Sequence, residues 1–115
     1  MVIEYKDTKD FTAEELKRLF LSVQWSSGAY PERLVVALRN SDTVFSAWDG
    51  DRLIGLINVL DDSIMTAYIH YLLVDPEYQG QGIGKELTRM TLEKYKEYLR
   101  ILLISYEDGV AFYES

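Results

Sequence analysis

The sequence predicts a mixed α/β domain built on a mostly antiparallel sheet, and three observations predict it. Short β-branched and aromatic runs with turn residues between them recur through the middle of the chain. Apolar residues spaced at three and four lie on either side of them, as helices require. One strand, residues 68–74, runs into a glycine-studded turn, Gln79-Gly80-Gln81-Gly82-Ile83-Gly84-Lys85, that opens directly onto a helical stripe. With 115 residues, 48% hydrophobic and 13% aromatic, the chain is one domain with a single core, not a disordered segment.

Residues 2–6 read as a short first strand carrying Val2, Ile3 and Tyr5. Thr12-Ala13-Glu14-Glu15 has capping-box spacing, so a helix is expected from there to about Gln24, with Leu16, Leu19, Phe20 and Val23 on its buried side. Residues 25–30 are turn-like. Pro31 suits the first position of a second helix, Glu32 favours its dipole, and Leu34, Val35 and Leu38 bury one side. Asn40-Ser41-Asp42 ends it. Residues 43–48 and 52–60 form a hairpin about Asp49-Gly50-Asp51, and Asp61-Asp62-Ser63 turns the chain into a third antiparallel strand, 66–74. Asp75-Pro76 halts that strand because proline lacks the ladder donor. Leu87, Met90, Thr91, Lys94, Tyr95 and Tyr98 make the next helical stripe. Residues 100–104, a continuous apolar run between polar neighbours, are expected to form a buried strand, and 108–113 the start of a short helix. No repeat, low-complexity stretch or linker divides residues 1–115, which read as one domain.

Composition removes several function classes. There is no cysteine and one histidine, so thiol catalysis, disulfides and thiolate or histidine-rich metal sites are excluded and no metal is expected. Any nucleophile must come from a substrate or a bound cofactor. The formal charge of -7, from 19 acidic and 12 basic residues, argues against a nucleic-acid partner. It is compatible with a cationic substrate, and equally with acidity that serves solubility. No run approaches the roughly 20 apolar residues of a membrane span, and the amino terminus has no basic, apolar leader. No membrane partner and a cytoplasmic location are therefore expected.

The glycine turn has the build of an anion site. Glycine takes positive φ and lets a ligand approach with no Cβ in the way, so loop N–H groups can converge. The helix behind it adds unpaired donors and the positive end of its dipole. Two familiar phosphate motifs fail on spacing. G-x-G-x-x-G begins at Gly80 and Gly82 but meets Lys85 where its third glycine belongs, and the P-loop pattern meets Gln79 at its first position and Glu86 at its last. What remains is Gln79-x-x-Gly82-x-Gly84 after a strand that leaves through Val74-Asp75-Pro76. It resembles the acetyl-coenzyme A motif, Q/R-x-x-G-x-G/A, of the GNAT superfamily of N-acetyltransferases.

The resemblance covers the whole chain. The order strand, helix, helix, three strands, glycine turn, helix, strand, helix is similar to the GNAT fold, which carries helices on both faces of its sheet. It implies acetyl-coenzyme A as cosubstrate and direct transfer of the acetyl group to a primary amine. By carry-over, the backbone of residues 79–85 (Gln79, Gly80, Gln81, Gly82, Gly84 and Lys85 among them) would cradle the diphosphate. Lys85 either adds charge there or is a solvated helix residue. Leu72 and Val74 would offer backbone groups to the pantetheine arm, which behaves as an added strand.

For the proton, family members often place a glutamate on the strand before the motif, and none occurs between Arg52 and Val74. Alternation places Thr66, Tyr68, His70 and Leu72 on one face, which leaves His70, or a water chain near it and Tyr68, as the acceptor. Phe112-Tyr113-Glu114 matches the family's last helix and makes Tyr113 the proton donor to the departing thiolate. Where the family often has asparagine before that tyrosine, this chain has Tyr106. Substrate choice falls to the loop between the first two helices, where Trp25 and Tyr30 are either substrate walls or core plugs. The family's Gly-Phe turn and closing strands do not follow Phe112-Tyr113-Glu114-Ser115. The expectation is that the natural protein runs further, or that a partner chain, such as the second copy of a homodimer, covers the sheet edge at 100–104. A catalytically silent acyl-coenzyme A sensor or interaction module is the alternative reading.

Overall fold

In the computed structural model, which describes residues 2–103, each element follows from a local signal. The first strand, β1 (Glu4–Lys6), is shorter than its apolar residues predict, and Val2 stays exposed. Helix α1 (Ala13–Ser22) opens on the predicted capping box: Glu15 N donates to Thr12 Oγ1 at 3.1 Å, and Thr12 N donates to Glu15 Oε1 at 2.9 Å. Leu16, Leu19 and Phe20 are fully buried. At about 1.5–3 kcal/mol per buried side chain against about 1 kcal/mol for a cap, packing rather than capping holds this helix. The helix ends two residues early because Gln24 takes a left-handed φ of 60°. One turn of 3-10 helix, Ser26–Ala29, leads to α2 (Pro31–Arg39), with proline in its first turn and Leu34 and Leu38 buried.

Strands β2 (Thr43–Asp49), β3 (Arg52–Asp61) and β4 (Thr66–Val74) form the antiparallel centre, α3 (Ile83–Lys94) follows the glycine turn, and β5 (Arg100–Leu103) pairs parallel with β4. The sheet order is β1-β2-β3-β4-β5. The expectation of a buried strand at 100–104 is corrected. Among the described residues β5 is an edge strand with one neighbour, so Leu102 and Leu103 are each 44% exposed. The helix expected at 108–113, with Tyr106 and Tyr113, lies outside the described residues.

Helices cover both faces. A Cβ on Gly55 would stand 3.1 Å from Ile83 Cγ2 and 3.3 Å from Leu87 Cδ1, so the glycine lets α3 seat closely on one face. On the other face Phe20 of α1 meets Tyr71 of β4 edge-on, ring centroids 5.0 Å apart. Two bulges shape the sheet between them. β3 carries an extra residue, Ile54, since Ala47 pairs with Gly55 but Trp48 with Leu53. β4 carries an extra residue, His70, since Asn58 pairs with Tyr71 but Val59 with Ile69.

The second bulge corrects a reading of strand faces. Simple alternation places Tyr68 and Leu72 together, but Tyr68 pairs with Leu60 and Leu72 with Ile57, three residues apart on β3 and therefore on opposite faces. Leu72 and Val74 share the face of α3, and Tyr71 turns toward α1.

Candidate functional site

The turn after β4 is anchored from below by Asp75. Its carboxylate is 3% exposed and receives Arg18 Nη1 at 2.7 Å, Arg52 Nη2 at 3.5 Å and the Glu77 N–H at 2.9 Å, while Arg18 also donates to the Leu53 carbonyl. Asp75 N donates to Ile54 O, the bulged residue of β3, at 2.8 Å. A single turn of 3-10 helix, Pro76–Tyr78, follows, and the buried Tyr78 donates its hydroxyl to Asp49 at 2.5 Å. Gln79 Nε2 then reaches back to the Val74 carbonyl at 3.1 Å and fixes the start of the glycine segment against the strand end.

The Asp75 hub has a measurable signature. Burial alone would raise its carboxyl pKa, but the Arg18 hydrogen bond, the Glu77 N–H and the charges of Arg18 and Arg52 outweigh burial and hold it below the usual value of 3.8. A carboxyl depressed in the folded state stabilises fully above its unfolded pKa, and that stabilisation is lost as pH falls through the folded value. Asp75→Asn should therefore cost about 1–3 kcal/mol at neutral pH, less than a fully buried pair because both arginines are partly exposed. Thermal denaturation should show the gap between wild type and variant closing as pH drops below about 4. A constant gap from pH 7 to pH 3 would remove the charge argument.

Beyond the anchor the backbone opens. Gly80 and Gly82 take φ of 83° and 82°, a region L side chains rarely adopt, and a Cβ added at either would meet nothing within 4 Å. Gly82 is the N-cap of α3 and supplies no side-chain cap, in contrast to Thr12 on α1. The first-turn N–H groups of α3, from Ile83, Gly84 and Lys85, have no carbonyl one turn back to receive them. With the helix dipole behind them they form a donor-rich, uncapped surface beside open space. Gln81 and Lys85 are exposed on the same segment.

The strand edge leading to this turn pairs with no strand among the described residues, though the Val74 carbonyl on it already accepts Gln79 Nε2. Asp75 N bonds Ile54 O and Tyr71 N bonds Asn58 Oδ1 at 2.8 Å, so odd-numbered backbone groups here face β3. Leu72 and Val74 therefore direct theirs the other way, and the described pairing of β4 with β5 ends at Ile69. Among the described residues no strand pairs with Leu72 or Val74 on that side.

Asn58 is what makes the bulge tolerable. It is buried in the sheet, its Oδ1 accepts the Tyr71 N–H that the bulge displaces from the ladder, and its Nδ2 donates to Ser41 Oγ at 3.0 Å. A buried asparagine amid the apolar run of β3 was the available sequence signal for it. Asp75, Arg18 and Arg52 gave none beyond their charge, because their meeting depends on how α1 crosses the sheet.

His70, the extra residue, stacks its ring on Tyr71 at 4.1 Å, and burial lowers its pKa below the ordinary 6.5. It is therefore neutral at pH 7 and able to accept a proton. Trp25 is 5% exposed and sits in the core, within 6.1 Å of Phe20 and 5.7 Å of Tyr71 between ring centroids. Tyr30 is 54% exposed at the mouth of a pocket of about 210 Å³ lined by Ser27, Tyr30, Arg33, Leu34, Ala37 and Tyr71. The structure thus brings Leu72, Val74, Gln79, Gly80, Gln81, Gly82, Gly84 and Lys85 into one continuous segment. His70 and Tyr30 flank Tyr71, and Tyr113 lies outside the described residues.

Among the described residues no group of three histidine, aspartate or glutamate side chains is placed to hold a metal ion, and no helix is long and apolar enough to cross a membrane.

The profile of the acetyltransferase (GNAT) domain matches residues 7–115. A ycf52-like N-acetyltransferase from Prochlorococcus marinus, itself uncharacterized, is 35% identical over 107 residues, 88% of this chain and 59% of the relative. The chloroplastic GCN5-related N-acetyltransferase 2 of Arabidopsis thaliana is 36% identical over 66 residues, 56% of this chain and 26% of its own length. The chain and these curated relatives thus differ in extent, with less than two thirds of either relative spanned. Among solved structures, a GNAT-family acetyltransferase from Streptococcus pneumoniae has a TM-score of 0.79 at 32% identity, covering 98% of this chain and 84% of that one. Glycine motif, sheet order and profile agree over nearly the whole sequence, and the chain belongs to the GNAT family of acetyltransferases.

Proposed function

We propose that this domain binds acetyl-coenzyme A and transfers the acetyl group directly to a primary amine. The observation that carries the reading is the turn itself: two positive-φ glycines with open space at their Cβ positions, leading into an uncapped helix N-terminus. Backbone N–H groups of residues 79–85 would hold the diphosphate, with Gly80, Gly82 and Gly84 admitting it closely and Gln81 and Lys85 beside it. Leu72 and Val74 would pair with the pantetheine arm through the backbone groups that face away from β3. Gln79 serves this arrangement through its hydrogen bond to Val74.

In the reaction the amine nitrogen forms a bond to the acetyl carbonyl carbon, the carbon–sulfur bond breaks, and sulfur leaves with the electron pair. A protonated amine, with a pKa near 10.4 for an alkyl ammonium such as lysine, must first lose a proton. His70, neutral at pH 7, would take it directly or through water. Tyr113 would supply the proton that ends on the thiol, and the second proton that the nitrogen sheds on becoming an amide would return, through water, to the phenolate. No metal enters this scheme. Trp25, packed in the core, would support the acceptor side, and Tyr30 would line it.

The test is isothermal titration followed by turnover. Acetyl-coenzyme A should bind with micromolar affinity or better, a binding free energy of about −8 kcal/mol, while ATP and NAD do not. Acetylation of an amine library should then follow. Equal binding of ATP would overturn the motif assignment, and tight binding without turnover of any amine would make the domain a silent acyl-coenzyme A sensor. The cytoplasm is the compartment we propose; the chloroplastic Arabidopsis relative makes a plastid the rival, which fractionation of the tagged full-length protein decides. The same preparation, run on a sizing column, tests the homodimer.

A further inference from the structure

We propose that the acceptor is a small amine that also carries a carboxylate, an amino acid with an apolar side chain, and that Arg33 holds that carboxylate. The proposal rests on the acetyl-transfer reading and adds the acceptor's class. Its site is the pocket between the 3-10 turn Ser26–Ala29, α2 and Tyr71, whose lining of Ser27, Tyr30, Arg33, Leu34, Ala37 and Tyr71 includes no acidic residue in a protein of net charge -7.

Arg33 is set apart from four of the other five arginines; Arg100, exposed at the start of the edge strand β5, likewise has no ion pair among the described residues. Arg18, Arg39, Arg52 and Arg89 each meet a carboxylate within 3.5 Å. Arg33 instead lies over the ring of Tyr30 at 5.0 Å, and among the described residues it has no carboxylate in ion-pair range. It also occupies the first turn of α2, where a positive charge opposes the helix dipole, so helix stability does not explain it. The tyrosine ring holds the planar guanidinium fork in place without neutralising it, a preorganised partner for an anion.

The pocket has two unlike ends. Arg33 and exposed Tyr30 form the outer one. At the inner end the Tyr71 hydroxyl meets Ser27 Oγ at 3.0 Å, and His70 stacks on the Tyr71 ring. An amine at the inner end would meet Tyr71, the residue on whose ring His70 stacks although His70 does not itself line the pocket, with its anionic group toward Arg33 and its side chain against Leu34 and Ala37. One guanidinium matches a monoanionic carboxylate, whereas a phosphate dianion would call for further cations that this lining lacks. The volume of about 210 Å³ is below the roughly 300–1,000 Å³ of drug-sized sites, which limits the acceptor to a small molecule.

The experiment compares leucine and valine with their amides and with the corresponding decarboxylated amines, on the full chain and on Arg33→Gln. The free acids should exceed both series that lack the carboxylate by about ten- to a hundredfold in kcat/KM, a preference that runs against the easier deprotonation of the amides. In Arg33→Gln the preference should vanish through KM, with coenzyme A affinity unchanged, and Arg33→Lys should restore only part of it. Amides or decarboxylated amines used as well as the acids would overturn the proposal. So would an Arg33→Gln effect equal on all three series. Should acetyl-coenzyme A fail to bind, the acetyl-transfer reading falls separately. The carboxylate site is then judged by titrating N-acetylleucine into wild type and Arg33→Gln, where equal affinity sinks it and weaker binding to the variant upholds it.

Discussion

Gly82→Val is expected to remove acetyl-coenzyme A binding from a chain that still folds. At φ of 82° a β-branched residue is strained by about 1–3 kcal/mol, within the margin of an ordinary domain. Its side chain would enter the open space beside the helix N-terminus, where the diphosphate is proposed to lie. Gly50→Val supplies the control. Gly50 also has positive φ, 61°, and open space at its Cβ, but it sits in the β2–β3 turn. Both variants should lose similar thermal stability by calorimetry, and only Gly82→Val should lose titratable binding. Intact affinity in folded Gly82→Val would end the assignment of the turn.

The second large effect belongs to Tyr113. If its hydroxyl protonates the departing thiolate, Tyr113→Phe removes one donor and almost no volume. Coenzyme A affinity should hold while kcat falls by about 10²- to 10⁴-fold, equivalent to about 3–5 kcal/mol of barrier. A thiolate can still leave unassisted or take a proton from water, so a residual rate is expected. The deficit should shrink as pH rises toward the thiol's own pKa, near the 8.5 of cysteine, because protonation then matters less. Single-turnover measurements isolate the chemical step. A variant within about twofold of wild type there would make Tyr113 a packing residue.

Most of the fold was legible because its signals are local. Thr12 with Glu15, Pro31, the Asp49-Gly50-Asp51 turn and the glycine segment each act within a few residues, and each element they announce is present. What escaped depends on neighbours far away in sequence. The apolar run at 100–104 cannot report whether strands flank it on both sides, and among the described residues only β4 does. Asp75 read only as the partner of a strand-ending proline, yet it gathers Arg18 and Arg52 from other elements. His70 was assigned a face by counting in twos, and the count fails where Asn58 takes a backbone donor out of the ladder. The proposed sites divide in the same way: the backbone cradle is assigned from the motif's spacing and its family resemblance, and Arg33 not at all, since its proposed significance lies in having no carboxylate beside it among the described residues.

The extra residue in β4 has a consequence for insertions and deletions. Above and below His70 the strand is in register with β3, four pairs on one side and three on the other, and within the paired span 67–74 His70 alone has no opposite number. Excising that one position would leave every apolar side chain of β4 facing the layer it faces now, unlike a deletion elsewhere in the strand, which would turn one half inside out. Packing alone therefore gives no reason to keep a residue there. The sheet carries it at the cost of an interrupted ladder and a buried asparagine committed to mending it, and what it obtains is a histidine held at the bend beside Tyr71. Under the proposed proton path, residue 70 serves the site rather than the core.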